Sequence, residues 1–239
     1  MKGIRIMSNE NIFDVEVLEE YEVAELIPSF EKSLFSPVWN TSIDYFELGV
    51  DTLFKDGLLK DIPIVGSIIG AGKFVYNVAD RNAIKQLVVF INEFNKCTIN
   101  PNKLEDHRLK IRKNPRNLEK ELGRVMIILN RNIDAYKSIV EARFYSAYIE
   151  AEISWEIFCE LCDITERMFL SDINTLKSAY QNEGVTLEMQ TSYRHDRLIS
   201  IGLLKEGTGA RIIELDDSNP QYVYILTEIG KVYCRYAFG

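Results

Sequence analysis

Few residues of this 239-residue chain are of a type and spacing that could do chemistry. Cys159 and Cys162 form a C-x-x-C, the commonest half of a zinc or dithiol site. A zinc ion would still need four ligands, and only His107 and His195 are available to join them. The pair lies inside an apolar helical pattern and not at the end of a βαβ strand. Buried structural thiols are therefore the first reading, with metal or redox work as the alternative. Cys97 and Cys234 are too scattered for a disulfide scaffold in a chain this long. There is no G-x-S-x-G, Walker loop or H-E-x-x-H, and the two histidines sit in unlike contexts. No catalytic residue, metal site or cofactor is expected, and an enzyme is the least favoured class.

Binding chemistry is better represented. From Lys96 to Arg131 the chain carries ten bases (Lys96, Lys103, Arg108, Lys110, Arg112, Lys113, Arg116, Lys120, Arg124, Arg131) against four acids. Its centre, KNPRN around Pro115, reads as a loop flanked by helix. Lys110, Arg112, Lys113 and Arg116 would attract anionic headgroups, at ~1 kcal/mol per base near a surface, or a nucleic-acid backbone. The plainer alternative is a solvated loop that balances an acidic N-terminus. Glu10 to Glu25 indeed hold seven acids and no base, with apolar residues interleaved. That segment reads as a solvated face or as an amphipathic strip on a partner.

The apolar centre of the sequence is Asp61 to Ala79, DIPIVGSIIGAGKFVYNVA. Asp61 is placed to cap a helix, and Pro63 sits in the first turn, where its missing N–H is harmless. As one helix, Ile62 to Ala79 would span ~27 Å, close to a bilayer core. Gly66, Gly70 and Gly72 each cost roughly 1 kcal/mol relative to Ala unless another backbone packs against them. Gly66 and Gly70 also have the G-x-x-x-G spacing of helix-pairing faces. Lys73 would cost ~2.5 to 3.5 kcal/mol near the middle of a span, so it must face water, a partner or a pore. Ile62, Pro63, Gly66, Ile69, Gly70, Gly72 and Lys73 are thus the candidate membrane or oligomer residues. A segment sheltered at first and inserted as a homo-oligomer fits them; a buried helix of a soluble bundle is the alternative.

Composition bounds the rest. The hydrophobic fraction is 46% and the net charge −8, with a pI near 5.0. An acidic whole argues against non-specific coating of nucleic acid. The N-terminus lacks the apolar core of a signal peptide, so the protein is expected to be made in the cytoplasm, with inner-membrane association to follow if the apolar segment is used. The fold class expected is mainly α: an acidic segment (1–40), a helical, membrane-active domain (41–170) and a small α+β domain (171–239). Within the second, helices are expected over Ser42 to Phe54, through the apolar run Ala83 to Phe94, and as one long helix over Ile133 to Phe169. Its stripe of Tyr136, Val140, Phe144, Ala147, Ala151, Trp155, Phe158, Cys162 and Phe169 keeps i, i+3/4 spacing without a Pro or Gly.

After Leu170 the pattern changes. Ser171 or Asp172 can cap a helix through Tyr180, and a second helix is expected over Thr191 to Leu204. Arg211 to Leu215 (RIIEL) and Tyr222 to Leu226 (YVYIL) are short β-rich runs around DDSNP, and Thr227 caps a last helix, TEIGKVYCRYAF. RLISIGLL, a strand pair and ILTEIGKVYCRYAF resemble the recognition helix, wing and closing helix of bacterial winged-helix domains. Leu226, Thr227 and Gly230 match that family's L-T-x-x-G turn. The resemblance implies that Arg194, His195 and Arg197 contact phosphates or bases. Seven bases against nine acids in 171–239 favour a module that binds protein or oligonucleotide.

The whole arrangement resembles small bacterial proteins of antiphage-defence loci, in particular the channel effectors of the Hailong type. That resemblance implies a channel-forming or membrane-disrupting protein held inactive by short single-stranded DNA or another nucleotide ligand made by a partner nucleotidyltransferase. The alternative function is a winged-helix transcription regulator that binds duplex DNA as a dimer.

Overall fold

A computed structural model describes residues 26–35, 59, 62–70, 78–182, 185–186, 192–207 and 224–239. The acidic segment Glu10 to Glu25, the helix expected over Ser42 to Phe54, the residues Asp61, Gly72 and Lys73, and the RIIEL run lie outside the described residues. The described chain is mainly helical, with ten helices and one small antiparallel sheet. A helix over 26–35 (α1) is followed by Pro63–Gly70 (α2), Val78–Lys96 (α3), Pro101–Arg112 (α4), Pro115–Asn130 (α5), Ala135–Ile149 (α6), Trp155–Arg167 (α7) and Leu170–Gln181 (α8). Then come strand Val185–Thr186 (β1), helix Ser192–Ser200 (α9), strands Leu204–Glu206 (β2) and Tyr224–Leu226 (β3), and helix Glu228–Phe238 (α10).

Local chemistry accounts for most of these boundaries. Asn100 and Asn114 each precede a proline, and each side chain accepts a hydrogen bond from the backbone N–H two residues on. Asn caps and Pro at the first helical position together start α4 and α5. In α3, Asp80 in the first turn and Lys96 in the last complement the helix dipole. The α2 helix begins at Pro63, and its first turn closes on the Ile62 carbonyl, which accepts from Gly66 N at 3.0 Å.

The long helix expected over Ile133 to Phe169 is two helices, α6 and α7, packed side by side. Ala151 takes a left-handed conformation, φ 56°. The Glu152 N–H reaches the Ala147 carbonyl and the Ala151 N–H that of Tyr148, which is a Schellman stop. Ser154 then caps α7 by accepting from Ile157 N. The same stop ends α9 at Ser200, earlier than expected, with Gly202 at φ 81° and bonds from Leu203 N to Leu198 O and Gly202 N to Ile199 O. In α8, neither Ser171 nor Asp172 caps: Phe169 holds the cap position without a side-chain bond.

The core is organised on α3 and α6. Ile84, Leu87, Val88, Val89, Phe90, Ile91 and Phe94 are buried on α3, and Val140, Ala142, Phe144, Tyr145, Ala147 and Ile149 on α6. Phe30 and Leu34 of α1, Leu122 and Leu129 of α5, and Phe158 and Leu161 of α7 close around them. In the sheet, strand order is β1-β3-β2, all antiparallel, with Leu204 opposite Leu226 and Val185 opposite Ile225. The last helix joins the two parts. Tyr233 is fully buried, edge-on to Phe144 at 5.1 Å, and Arg143 of α6 donates to the Ala237 carbonyl at 2.7 Å.

Thr227 caps α10 as its sequence predicts: its Oγ1 accepts from Gly230 N at 2.9 Å and donates to the Gly202 carbonyl at 2.6 Å. A Cβ on Gly230 would overlap the backbone carbonyl of Leu203, so the glycine of the L-T-x-x-G turn is a steric requirement. Gly230→Ala is expected to lower the thermal unfolding midpoint severely, by the equivalent of more than ~2 kcal/mol. Ala151→Gly works in the opposite direction. It removes a left-handed Cβ and is expected to stabilise by ~0.5 to 1 kcal/mol in urea unfolding.

Candidate functional site

The basic turn between α4 and α5 is the first candidate. Periodicity within α4 turns His107 and Ile111 inward and leaves Lys110 and Arg112 exposed beside Lys113 and, on α5, Arg116 and Lys120. No ion pair engages Lys110, Lys113, Arg116 or Lys120 among the described residues. Neighbouring cations differ: Lys103 pairs with Glu150 at 2.9 Å, Arg131 with Glu166 at 3.3 Å and Arg124 with Asp163 at 3.7 Å. Arg112 has an internal partner as well, since its Nε donates to Glu31 Oε1 of α1, and Arg108 Nε lies 3.9 Å from the same oxygen. Glu31 is buried, so one carboxylate of α1 already occupies the edge of the patch.

The same α1 holds the apolar helix. Ser33 Oγ accepts from Ile64 N at 3.1 Å, and Ser29 and Ser67 hydroxyls meet at 2.5 Å. Ile62, Ile64 and Val65 are fully buried against the bundle. Gly66 and Gly70 are exposed, Ile69 is 41% exposed, and nothing lies within 4 Å of where a Cβ on Gly70 would stand. The expectation that Gly70 meets a close backbone is therefore not met among the described residues. Pro63 stands at the first helical position and is half-buried. Gly72 and Lys73 lie outside the described residues. Among the described residues no helix is long and apolar enough to cross a membrane.

In α9 the three residues expected to touch phosphates or bases have different fates. His195 is fully buried and stacks on Tyr224, centroids 4.2 Å apart. Arg197 makes a two-pronged bond to Asp172 of α8, Nε to Oδ2 at 2.9 Å and a terminal nitrogen to Oδ1. Its guanidinium also lies over the rings of Phe169 and Tyr193, at 4.8 and 4.9 Å. Arg194 is half-buried, with its Nε shut from water and lacking a hydrogen-bond partner, and its guanidinium is over Tyr193. In this conformation Arg197 neutralises the buried Asp172 and His195 lies flat against Tyr224.

Two polar clusters, one half-buried and one buried, had no signature in the sequence. Glu121 accepts from His107 Nε2 at 2.7 Å, Tyr145 Oη at 2.8 Å and Tyr148 Oη at 3.2 Å, tying α4, α5 and α6. Burial and the Glu121 charge push the Tyr145 hydroxyl well above the ordinary tyrosine range, so the cluster holds no ready phenolate. In the second, Ser138 donates to Gln86 at 2.7 Å, and Asn132 donates to Ser138 at 3.1 Å and Glu141 at 2.6 Å. The other Glu141 oxygen has no partner, and burial raises that carboxyl to about 8, outweighing the Asn132 bond and nearby Lys137.

The cysteines are free thiols; Cys162 is buried and held protonated by that burial, and Cys159 is half-buried. No group of three or more His, Cys, Asp or Glu that could hold a metal occurs among the described residues.

No protein-family profile matches the chain, and no solved structure is similar to it. A curated protein to which it is similar is the chromosome partition protein Smc of Fusobacterium nucleatum subsp. nucleatum, 26% identical over 182 residues. That match covers 72% of this chain but only 15% of the Smc protein, and it shows neither a family nor an activity.

Glu141 makes stability depend on pH with a definite sign. Unfolded, it titrates near ~4.3, and folded near about 8, so between those values the folded state holds the extra proton. This group's contribution therefore falls as pH rises from about 4 to about 8. Glu141→Gln is expected to flatten that slope and to raise the unfolding midpoint at about pH 9 more than at about pH 5, read by circular dichroism.

Proposed function

We propose that this chain is a membrane-acting effector of bacterial antiphage defence, held inactive by an anionic ligand such as short single-stranded DNA. The observation that carries the reading is the double attachment of α1. One helix holds the apolar Pro63–Gly70 segment through Ser29 and Ser33, and through Glu31 it reaches the cationic turn of α4 and α5. A ligand on Lys110, Arg112, Lys113 and Arg116 would act on the same helix that keeps Ile64 and Val65 buried. Loss of that ligand frees the segment, and the exposed Gly66, Ile69 and Gly70 edge offers the contact by which copies assemble at the inner membrane. A partner nucleotidyltransferase is the proposed source of the ligand, on the resemblance of the sequence to Hailong-type effectors.

The C-terminal unit is proposed to be a winged-helix module. The order α8, β1, α9, β2, β3 with strands arranged β1-β3-β2, and the Thr227 to Gly230 turn, support it. Engagement of His195 and Arg197 within the unit favours a protein- or oligonucleotide-binding use over reading of a duplex groove. A duplex-binding regulator remains the competing reading, marked by tight, steeply salt-dependent binding to double-stranded DNA.

Leakage of ions from anionic liposomes tests the effector. The purified protein is expected to cause leakage, short single-stranded DNA to suppress it, and Lys110→Glu with Lys113→Glu to make leakage insensitive to the DNA. Gly70→Leu is expected to leave the protein folded but silent, and to relieve growth arrest on expression. Liposomes that stay sealed with and without DNA would sink the proposal.

A further inference from the structure

On the surface of the C-terminal unit one arginine, Arg197, lies over two exposed aromatic rings. Asp172, itself buried, accepts from Nε and one terminal nitrogen of Arg197, which fixes the plane of this guanidinium. What it offers is a flat plate lying over Phe169 and Tyr193. These two rings are 59% and 52% exposed, far more than the core aromatics, which are closed to solvent. Large apolar rings are normally withdrawn from water, and a group of them ordered by an arginine anchored on a buried carboxylate is a preformed surface. Beside it, Arg194 carries a positive charge over Tyr193 and a buried Nε without a hydrogen-bond partner.

We infer that Phe169, Tyr193 and Arg197 form a stacking platform for the bases of a single-stranded nucleic acid, with Arg194 supplying the cation for its backbone. Bases stack on aromatic rings and guanidinium planes without regard to sequence, which suits a ligand defined by being unpaired. A duplex buries its base faces and gains nothing here. Charge complementarity argues for nucleic acid over an apolar peptide: Arg194 would be desolvated unpaired under a peptide but meets phosphate under a strand. The inference rests on the reading of an oligonucleotide ligand and assigns that ligand's bases to α8 and α9, while the α4–α5 turn takes phosphates.

Fluorescence anisotropy of labelled oligothymidylate with the full-length chain tests it. The parent is expected to bind; Tyr193→Ala and Phe169→Ala weaken binding about five- to a hundredfold, the range set by one stacked base. Tyr193→Phe, which keeps the ring, is expected to bind like the parent, and thermal unfolding of all three variants to match it. Equal binding by parent and alanine variants, with loss only in Lys110→Glu and Lys113→Glu, would overturn the platform and leave the nucleic-acid ligand standing. Tighter binding to duplex than to single strand would overturn the platform too. No binding of any oligonucleotide would overturn both it and the ligand reading.

Discussion

The pairing of α3 with α6 is the constraint on which the other helices depend. Both helices are buried over most of their circumference, so apolar packing alone would let them slide or rotate against each other at little cost. The chain Gln86, Ser138, Asn132 and Glu141 removes that freedom. Each member is buried and finds its partner in one register only, since an unmade bond in such surroundings costs ~1 to 3 kcal/mol. Asn82 and Gln86 extend the link to the backbone of the α5–α6 turn through Asn132 O and Ile133 O. Once α3 and α6 are set, Arg143 carries the alignment outward to Glu93 on one side and to the last helix on the other.

From that axis the two surfaces of interest inherit their geometry. The cationic turn is presented by α4 and α5, which are locked to α6 through the three bonds onto Glu121. The apolar α2 segment is held by α1, whose Phe30 and Leu34 are buried in the α3 core. The cationic turn and α1 meet directly where Arg112 and Arg108 approach Glu31. The fully buried phenyl and leucyl groups of α1 also mean that a single ion pair at Glu31 cannot set its position alone: burying each contributes ~1.5 to 3 kcal/mol.

Much of the fold was legible because the signals were local. The L-T-x-x-G turn announced the start of the last helix and the apolar run Ala83 to Phe94 announced α3, whereas Asn114 and Pro115, read as a loop, start α5, and Gly202, read inside a helix, lies in the turn that ends one. The break at Ala151 was not legible. An alanine there does the work usually left to glycine, and the aromatic spacing runs on across it as though the helix continued. Function was harder to read for a related reason. Arg197 looked like a surface cation because its partner, Asp172, lies 25 residues away and only the fold brings them together. Glu121 and its two tyrosines were likewise invisible as a group, since no spacing rule connects three helices.

The last helix belongs to two structures at once. Thr227 and Gly230 fasten its beginning to the backbone of Gly202 and Leu203, while Tyr233 and Ala237 are claimed by Phe144, Thr165 and Arg143 of the bundle. The C-terminal unit is consequently no interchangeable cassette. A graft cut near residue 171 that replaces the unit from a distant homologue would bring a foreign final helix, and with it a hole where Tyr233 stood and a vacant bond on Arg143. An exchange of this unit is tolerated only where the final helix stays matched to the bundle it closes.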